Sequence, residues 1–347
     1  MLWFIFAQAE GGDFGIVEEV VGKKAKFYNL EGILGVWWGK DRAYYRGEAA
    51  LQMQYDEGFY GRLSVISFND YDLLSPSVRI KELYVEKAYD NGLDVKFGLG
   101  PLFWENGVVF GDYLGGNPFL EIFYGREIWV NLLLYKVLGN LGVGFRTAVD
   151  MGNFALTLYG IYDTTRLGYL GTSLNLELPF LRLSLEATGM RMDENYEGAY
   201  IFHTYFEGGR WFVGLLSHSF SRRFVRLRAQ GLTLDPERSP FFGVSTPITY
   251  SFRGIPWTYP QNTSSQLLRF GFNHKLNEDW VMMPMFDVGL FQSPALDLKN
   301  GNSLFADGHL VFRWTDTYFA GLSFGALMDD DSPKWSVALY SVKNFSF

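Results

Sequence analysis

The chain has 347 residues with 30 basic against 38 acidic side chains, a formal net charge of −8, and no cysteine. This excludes disulfides, thiolate metal sites and thiol nucleophiles, and it leaves no basic footprint for a nucleic acid. Aromatics make up 18% of residues (32 Phe, 21 Tyr, 10 Trp) beside 39 Gly, yet the mean hydropathy is only −0.02. Large apolar side chains without long apolar runs exclude disorder, which lacks aromatics. They also exclude a helical membrane protein, which needs ~18 or more consecutive apolar residues.

Residues 1–25 open the chain. Leu2-Trp3-Phe4-Ile5-Phe6 is a short apolar run before Ala7-Gln8-Ala9, a pattern like a signal cleavage site. The basic n-region and longer apolar core of a full secretory signal are absent, so a clipped signal and an apolar N-terminal strand stand as two readings. Glu10, Asp13, Glu18, Glu19, Lys23 and Lys24 follow, too short a stretch to form a plug domain.

From about residue 26 to the end the dominant signal is alternation with period 2, the mark of a strand with one apolar and one wet face. Over 42–56, Ala43, Tyr45, Gly47, Ala49, Leu51, Met53 and Tyr55 share a face, opposite Arg46, Glu48, Gln52 and Gln54. Leu141, Val143, Phe145 and Val149 oppose Arg146, Ala148 and Asp150; Leu181, Leu183 and Leu185 oppose Arg182, Ser184 and Glu186. Leu304, Leu310, Phe312 and Trp314 oppose Asp307, His309 and Arg313. Turn signals separate these runs, among them Asp56-Glu57-Gly58, Asp90-Asn91-Gly92, Asp150-Met151-Gly152-Asn153 and Glu207-Gly208-Gly209-Arg210. Asn-Gly favours a tight hairpin because both central residues take positive φ.

The pattern predicts an all-β, antiparallel, hairpin-connected fold of sixteen to eighteen strands. Four connections are long, about 69–76, 103–125, 231–263 and 293–302, and all four fall on odd-numbered connections. Short turns at one rim and long loops at the other are the asymmetry of a transmembrane up-and-down β-barrel, with short periplasmic turns and longer extracellular loops. Many runs reach ~11–14 residues, against ~5–6 for an average globular strand, enough to cross a bilayer at a tilt. Aromatics gather near strand ends (Trp37, Trp38, Phe59, Tyr60, Trp211, Trp280, Trp335), where rings with a polar tip suit the membrane–water boundary. The expected organisation is a signal-like or periplasmic segment 1–25 and one barrel over 26–347.

Trp335, Val337, Leu339, Phe345 and the final Phe347 share one alternating face. This end resembles the terminal strand of bacterial outer-membrane β-barrel proteins, which implies that Phe345 and Phe347 are read by the barrel-insertion machinery. Ile80-Lys81-Glu82-Leu83-Tyr84-Val85-Glu86, Leu93-Asp94-Val95-Lys96-Phe97-Gly98, Trp104-Glu105-Asn106-Gly107 and Asn117-Pro118 resemble a succession found in bacterial porins. The resemblance implies a general or substrate-selective diffusion porin in the outer membrane, surrounded by lipid, often trimeric, with no cofactor.

The wet faces then line the lumen. The inward set is Arg46, Lys96, Arg146, Arg182, Arg226, Arg228, Arg269 and Arg313 with Glu48, Asp94, Asp150, Glu186, Asp287 and Asp307. Pores select by diameter and by the sign of charge at the narrowest point; the plainer reading is that these groups pair and solvate the wall. Segment 103–125, with Glu105 and Asp112, is the candidate constriction loop; an outward surface loop is the alternative. Segment 231–263 carries five prolines and many aromatics; covering the mouth, folding partly inward and forming a subunit contact are its three readings.

The four histidines, His203, His218, His274 and His309, form no close metal-ligand pair. Ser217-His218-Ser219 puts neighbours on opposite strand faces, which a catalytic triad cannot use without distant partners. The expectation is therefore no catalytic or metal site. The reading is a passive porin for ions and small hydrophilic solutes, with a structural or adhesive barrel as the alternative and an outer-membrane hydrolase as a distant third.

Overall fold

Alternation does build the strands. The computed structural model describes residues 26–39, 43–56, 58–68, 77–112, 115–221, 223–225, 227–230, 264–292, 302–314, 318–329 and 332–346. In chain order they form β1 (Lys26–Gly39), β2 (Ala43–Asp56), β3 (Phe59–Phe68), β4 (Ser77–Ala88), β5 (Leu93–Gly100), β6 (Phe110–Asp112), β7 (Asn117–Gly125), β8 (Ile128–Val137), β9 (Asn140–Asp150) and β10 (Phe154–Asp163). There follow β11 (Leu167–Leu178), β12 (Leu181–Met192), β13 (Asn195–Gly208), β14 (Trp211–Phe220), β15 (Arg228–Gln230), β16 (Ser264–Phe272), β17 (His274–Lys275), β18 (Trp280–Gln292), β19 (Asn302–Trp314), β20 (Tyr318–Asp329) and β21 (Ser332–Ser346).

Nineteen of these strands join one antiparallel sheet, each pairing with its neighbour in the chain once β6 and β15 are set aside. β16 and β17 flank Asn273 and pair with the same partner, β18, so the sheet has eighteen staves. The pairings return to their start: β1 meets β2 on one side and β21 on the other, with Glu31 opposite Ser346 and Gly39 opposite Ala338. Such a barrel-like sheet leaves no free edge.

Two faces result. Along β8, Ile128, Val130, Leu132 and Leu134 are exposed, whereas Asn131, Leu133, Tyr135 and Val137 are buried. The same outward apolar row continues through Phe145, Leu158, Leu170, Phe270, Phe286, Leu290 and Phe324, all exposed. A contiguous exposed apolar band of this extent is foreign to a water-soluble surface.

The inner face uses glycine to make room for rings. A Cβ on Gly142 would stand 2.1 Å from Cζ of Tyr135, one on Gly171 2.3 Å from Cζ of Tyr159, and one on Gly271 1.8 Å from Cζ of Phe212. In each pair the two residues face each other across adjacent strands. An aromatic laid over a cross-strand glycine restores the packing that a glycine in a strand otherwise lacks. This accounts for part of the joint abundance of glycine and aromatics.

The strands that flank 69–76, 101–116, 221–263 and 293–301 are joined at one end of the sheet, whereas the strands joined at the other end follow one another closely. Asn91-Gly92 makes the expected tight turn, with Gly92 at φ 83° and Asn91 Oδ1 accepting the Leu93 N–H at 3.1 Å. The second loop differs from its sequence-based bounds. It spans 101–116 instead of 103–125, because Asn117–Gly125 is β7 and pairs with β5 from Gly100↔Asn117 to Leu93↔Tyr124. Pro118 sits at the second position of that strand, near a strand start, where a missing N–H is tolerated. Residues 1–25 and 231–263 lie outside the described residues.

Candidate functional site

The loop 101–116 turns inward and packs on the wall made by β8–β14. Leu102, Trp104, Val108, Val109 and Phe110 are buried in one cluster with Leu133, Tyr135, Tyr159, Ile161, Tyr169 and Met190 from that wall. Ring contacts hold it edge to face: Phe110 to Tyr135 at 4.9 Å, Trp104 to Phe110 at 5.7 Å and Trp104 to Tyr159 at 6.0 Å. A second segment joins from the other side. Phe224 is buried against Tyr169 and Phe220, the Tyr169 hydroxyl donates to the Val225 carbonyl at 2.8 Å, and β15 pairs in parallel with β6.

The polar tip of the loop is fixed by side chains from the wall. Glu186 on β12 is buried, and its Oε2 accepts the backbone N–H of Asn106 at 2.8 Å and of Val108 at 3.2 Å. Its Oε1 accepts the Tyr159 hydroxyl, which also contacts the Thr188 hydroxyl. The Ser173 hydroxyl donates to Glu105, and the Ser184 hydroxyl reaches Asn106 Oδ1 at 2.8 Å. Glu105 itself takes φ 51°, a left-handed conformation that non-glycine residues adopt where surroundings over-determine it.

Beside the tip lies a charged group. Arg146 on β9 approaches Glu105 at 3.6 Å and Glu121 at 3.4 Å, with its guanidinium 5.0 Å from the Trp104 ring and 5.2 Å from the Trp129 ring. Asn131 donates to the same Glu121 oxygen at 2.8 Å. Elsewhere on the inner face Lys81 pairs with Glu48 at 2.6 Å, Arg62 with Glu82 at 2.7 Å, and Arg269 with Asp287 through two contacts of 2.7 and 2.9 Å. Lys96 stands 3.8 Å above the Tyr84 ring.

Glu48, Lys96, Arg146, Glu186, Arg269, Asp287, Arg313 and Glu105 thus occupy inner-face parity or the loop docked on it. Arg182 shares the parity but sits at the short-turn rim, exposed and 3.2 Å from Glu177. Asp150 is also at a rim, its Oδ1 accepting the Gly152 N–H at 2.8 Å, a turn-closing role. Arg228 belongs to β15, whose partner is the inward loop, and not to a stave of the sheet. The Arg-x-Arg spacing there imitates strand alternation, but the segment pairs over only three residues. Arg226 and Phe347 lie outside the described residues. For Arg46, Asp112, Asp307 and Phe345 the backbone alone is described, with Phe345 opposite Gly32.

Sequence reasoning missed Glu121, Asn131, Lys81 and Tyr159. Reading 103–125 as one loop concealed the alternation of Phe119, Glu121 and Phe123, which was the available signal. Lys81 was hidden by a bulge: Ser64 pairs with Glu82 and Val65 with Ile80, so Lys81 is the extra residue. Among the described residues no group of three His, Cys, Asp or Glu side chains is placed to hold a metal ion.

No family model matches the sequence, and no curated protein matches it. Solved structures do match by shape. Pseudomonas aeruginosa OccD3 (OpdP) aligns with TM-score 0.60 at 7% identity, covering 93% of this chain and 91% of its own. Acinetobacter baumannii OccAB4 gives 0.58 at 9% identity over 92% and 98%. The outer membrane protein opdK from Pseudomonas aeruginosa gives 0.58 at 10% identity over 94% and 100%. At such identities the likeness establishes a common fold, so this chain has the barrel-like architecture of those proteins over nearly its whole length.

Proposed function

We propose that the protein is a bacterial outer-membrane porin through which ions and small hydrophilic solutes diffuse passively. The observation that carries this reading is the division of the sheet into an apolar outer face and an inner face bearing ion pairs and a docked loop. Exposed Leu on every stave from β8 to β11, joined by Phe145 on β9, suits lipid contact, while inner charges suit a water-filled lumen. The end with the long connections is then extracellular.

In this reading the loop 101–116 narrows the lumen from the β8–β14 side. Glu105, Glu121 and Arg146 stand at the tip, where opposed charges orient passing dipolar solutes and tune selectivity. The apolar packing between the loop and the wall supports a second reading, a structural barrel with a closed lumen.

Single-channel recording in planar bilayers separates the two. The porin reading expects discrete conductance steps from pure, folded protein, and an enlarged step in R146A or in a variant lacking 104–109. Absence of steps in all three proteins rejects it in favour of the structural barrel.

A further inference from the structure

On the inner face Arg62, Lys81, Arg146 and Arg269 each meet a carboxylate. At the long-loop end of the outer face Arg166 and Arg191 are exposed, and among the described residues neither has a carboxylate oxygen within 4.0 Å. Asp193 and Glu194 occupy the adjoining turn, yet Arg191 takes only the Asp193 carbonyl, its Nε donating at 3.0 Å. Its guanidinium carbon lies 5.9 Å from the Tyr196 ring.

The register places the two together. Arg191 faces Gly168 and Met192 faces Leu167, so Arg166, in the turn that leads into β11, stands beside Arg191 on β12. Tyr162 and Tyr196, 56% and 74% exposed, flank them.

Directly below this rim the apolar band has a depression of about 440 Å³, lined on the outer side by Ala187, Gly189, Gly198, Tyr200, Ser219 and Ser221. Gly189 faces Gly198 across β12 and β13, leaving a floor without side chains, and Leu170, 74% exposed, walls it on the β11 side. The Tyr200 and Ser217 hydroxyls satisfy each other at 3.2 Å and the Gly198 N–H is taken by the Ser221 hydroxyl at 3.0 Å. The floor therefore presents few unmet polar groups to an apolar occupant.

We propose that this rim and depression form a binding site for an outer-leaflet lipid, its phosphate headgroup on Arg166 and Arg191 and one acyl chain over Gly189 and Gly198. The argument is charge complementarity. Unpaired cations at the edge of a lipid-facing apolar band draw an anionic headgroup, and tyrosines at that depth hold the boundary. The site rests on the lipid-facing reading of the outer face, and it does not need the lumen to conduct.

Native mass spectrometry of the folded protein in detergent tests it, with phosphatidic acid and phosphatidylcholine of identical chains as probes. The wild type is expected to retain phosphatidic acid about tenfold more than phosphatidylcholine. R166Q/R191Q should bring the two lipids to parity. G189L should lower retention of both while the cations stay; a Cβ there meets no atom closer than 3.9 Å. If R166Q/R191Q fails to fold, R166Q and R191Q singly carry the same expectation at smaller size. Equal retention of the two lipids by the wild type overturns the proposal, as does unchanged preference in the charge variants. Displacement by an equal concentration of inorganic phosphate marks a plain anion site and also overturns it. Loss of conductance with lipid preference intact rejects the porin reading alone.

Discussion

Glu186 accepts the backbone N–H of Asn106 at 2.8 Å, joining a wall strand to a loop eighty residues away in the chain. The carboxylate is buried and satisfied by two amides and a phenol. Because each amide is also buried or half-buried, neither side of the contact has water as a substitute.

Removing that carboxylate should free the loop. Hydrogen bonds to a charged group contribute about 1.5–3 kcal/mol each, and unpaired amides add a desolvation cost. E186L is expected to raise amide hydrogen exchange at 104–110 while exchange on β20 and β21 stays slow. E186Q keeps an acceptor and should show a smaller rise. Unaltered exchange in E186L would show that the apolar packing alone holds the loop.

The Trp104 ring touches Gly144, where a Cβ would stand 2.4 Å from Cη2. G144L therefore collides with the docked indole, and overpacking of this sort costs about 1–3 kcal/mol. Tryptophan fluorescence should shift to longer wavelength as Trp104 leaves its buried position. The paired variant G144L/W104A should unfold at a higher urea concentration than G144L alone.

Arg269 and Asp287 face each other on β16 and β18, exposed by only 2% and 0%. Breaking a buried pair strands the remaining charge and costs about 3–5 kcal/mol, whereas replacing both partners with apolar residues is near neutral. R269L should lower the urea midpoint of the folded band markedly, and R269L/D287L should recover most of it. Equal midpoints for the single and double variants would mean that the stranded carboxylate is hydrated through the lumen.

Leu132, Leu158 and Phe270 belong to the outer row. A basic substitution there should hinder insertion, by about 2–4 kcal/mol at mid-depth and less near a rim. L132K is expected to fold poorly into phospholipid vesicles, read from heat-modifiable migration. T157K, on the buried inner face, should leave vesicle insertion less impaired if the outer row is what meets lipid.

Much of this architecture was legible beforehand because a strand writes its two faces as period 2. Leu141, Val143 and Phe145 against Ala148 and Arg146 sorted outward and inward as the alternation indicates. Strand 78–89 resisted that reading, since both parities mix charge with apolar groups. The bulge at Lys81 is the reason: Val78 and Ile80 are exposed before it and Leu83 after it, so parity inverts midway and Lys81 and Glu82 both find inner-face partners. A one-residue insertion leaves no mark in residue type.

The sequence by itself therefore determined most of the strands and the greasy face, because those follow from local periodicity and turn chemistry. Only the tertiary structure decided that loop 101–116 turns inward, that Arg146 stands between Glu105 and Glu121, and that Tyr159 lies over Gly171 beneath Glu186. Those contacts join residues ten to eighty positions apart whose types are ordinary in themselves. Their meeting depends on stagger between staves and on the direction a loop takes, and neither is encoded in any short stretch of chain.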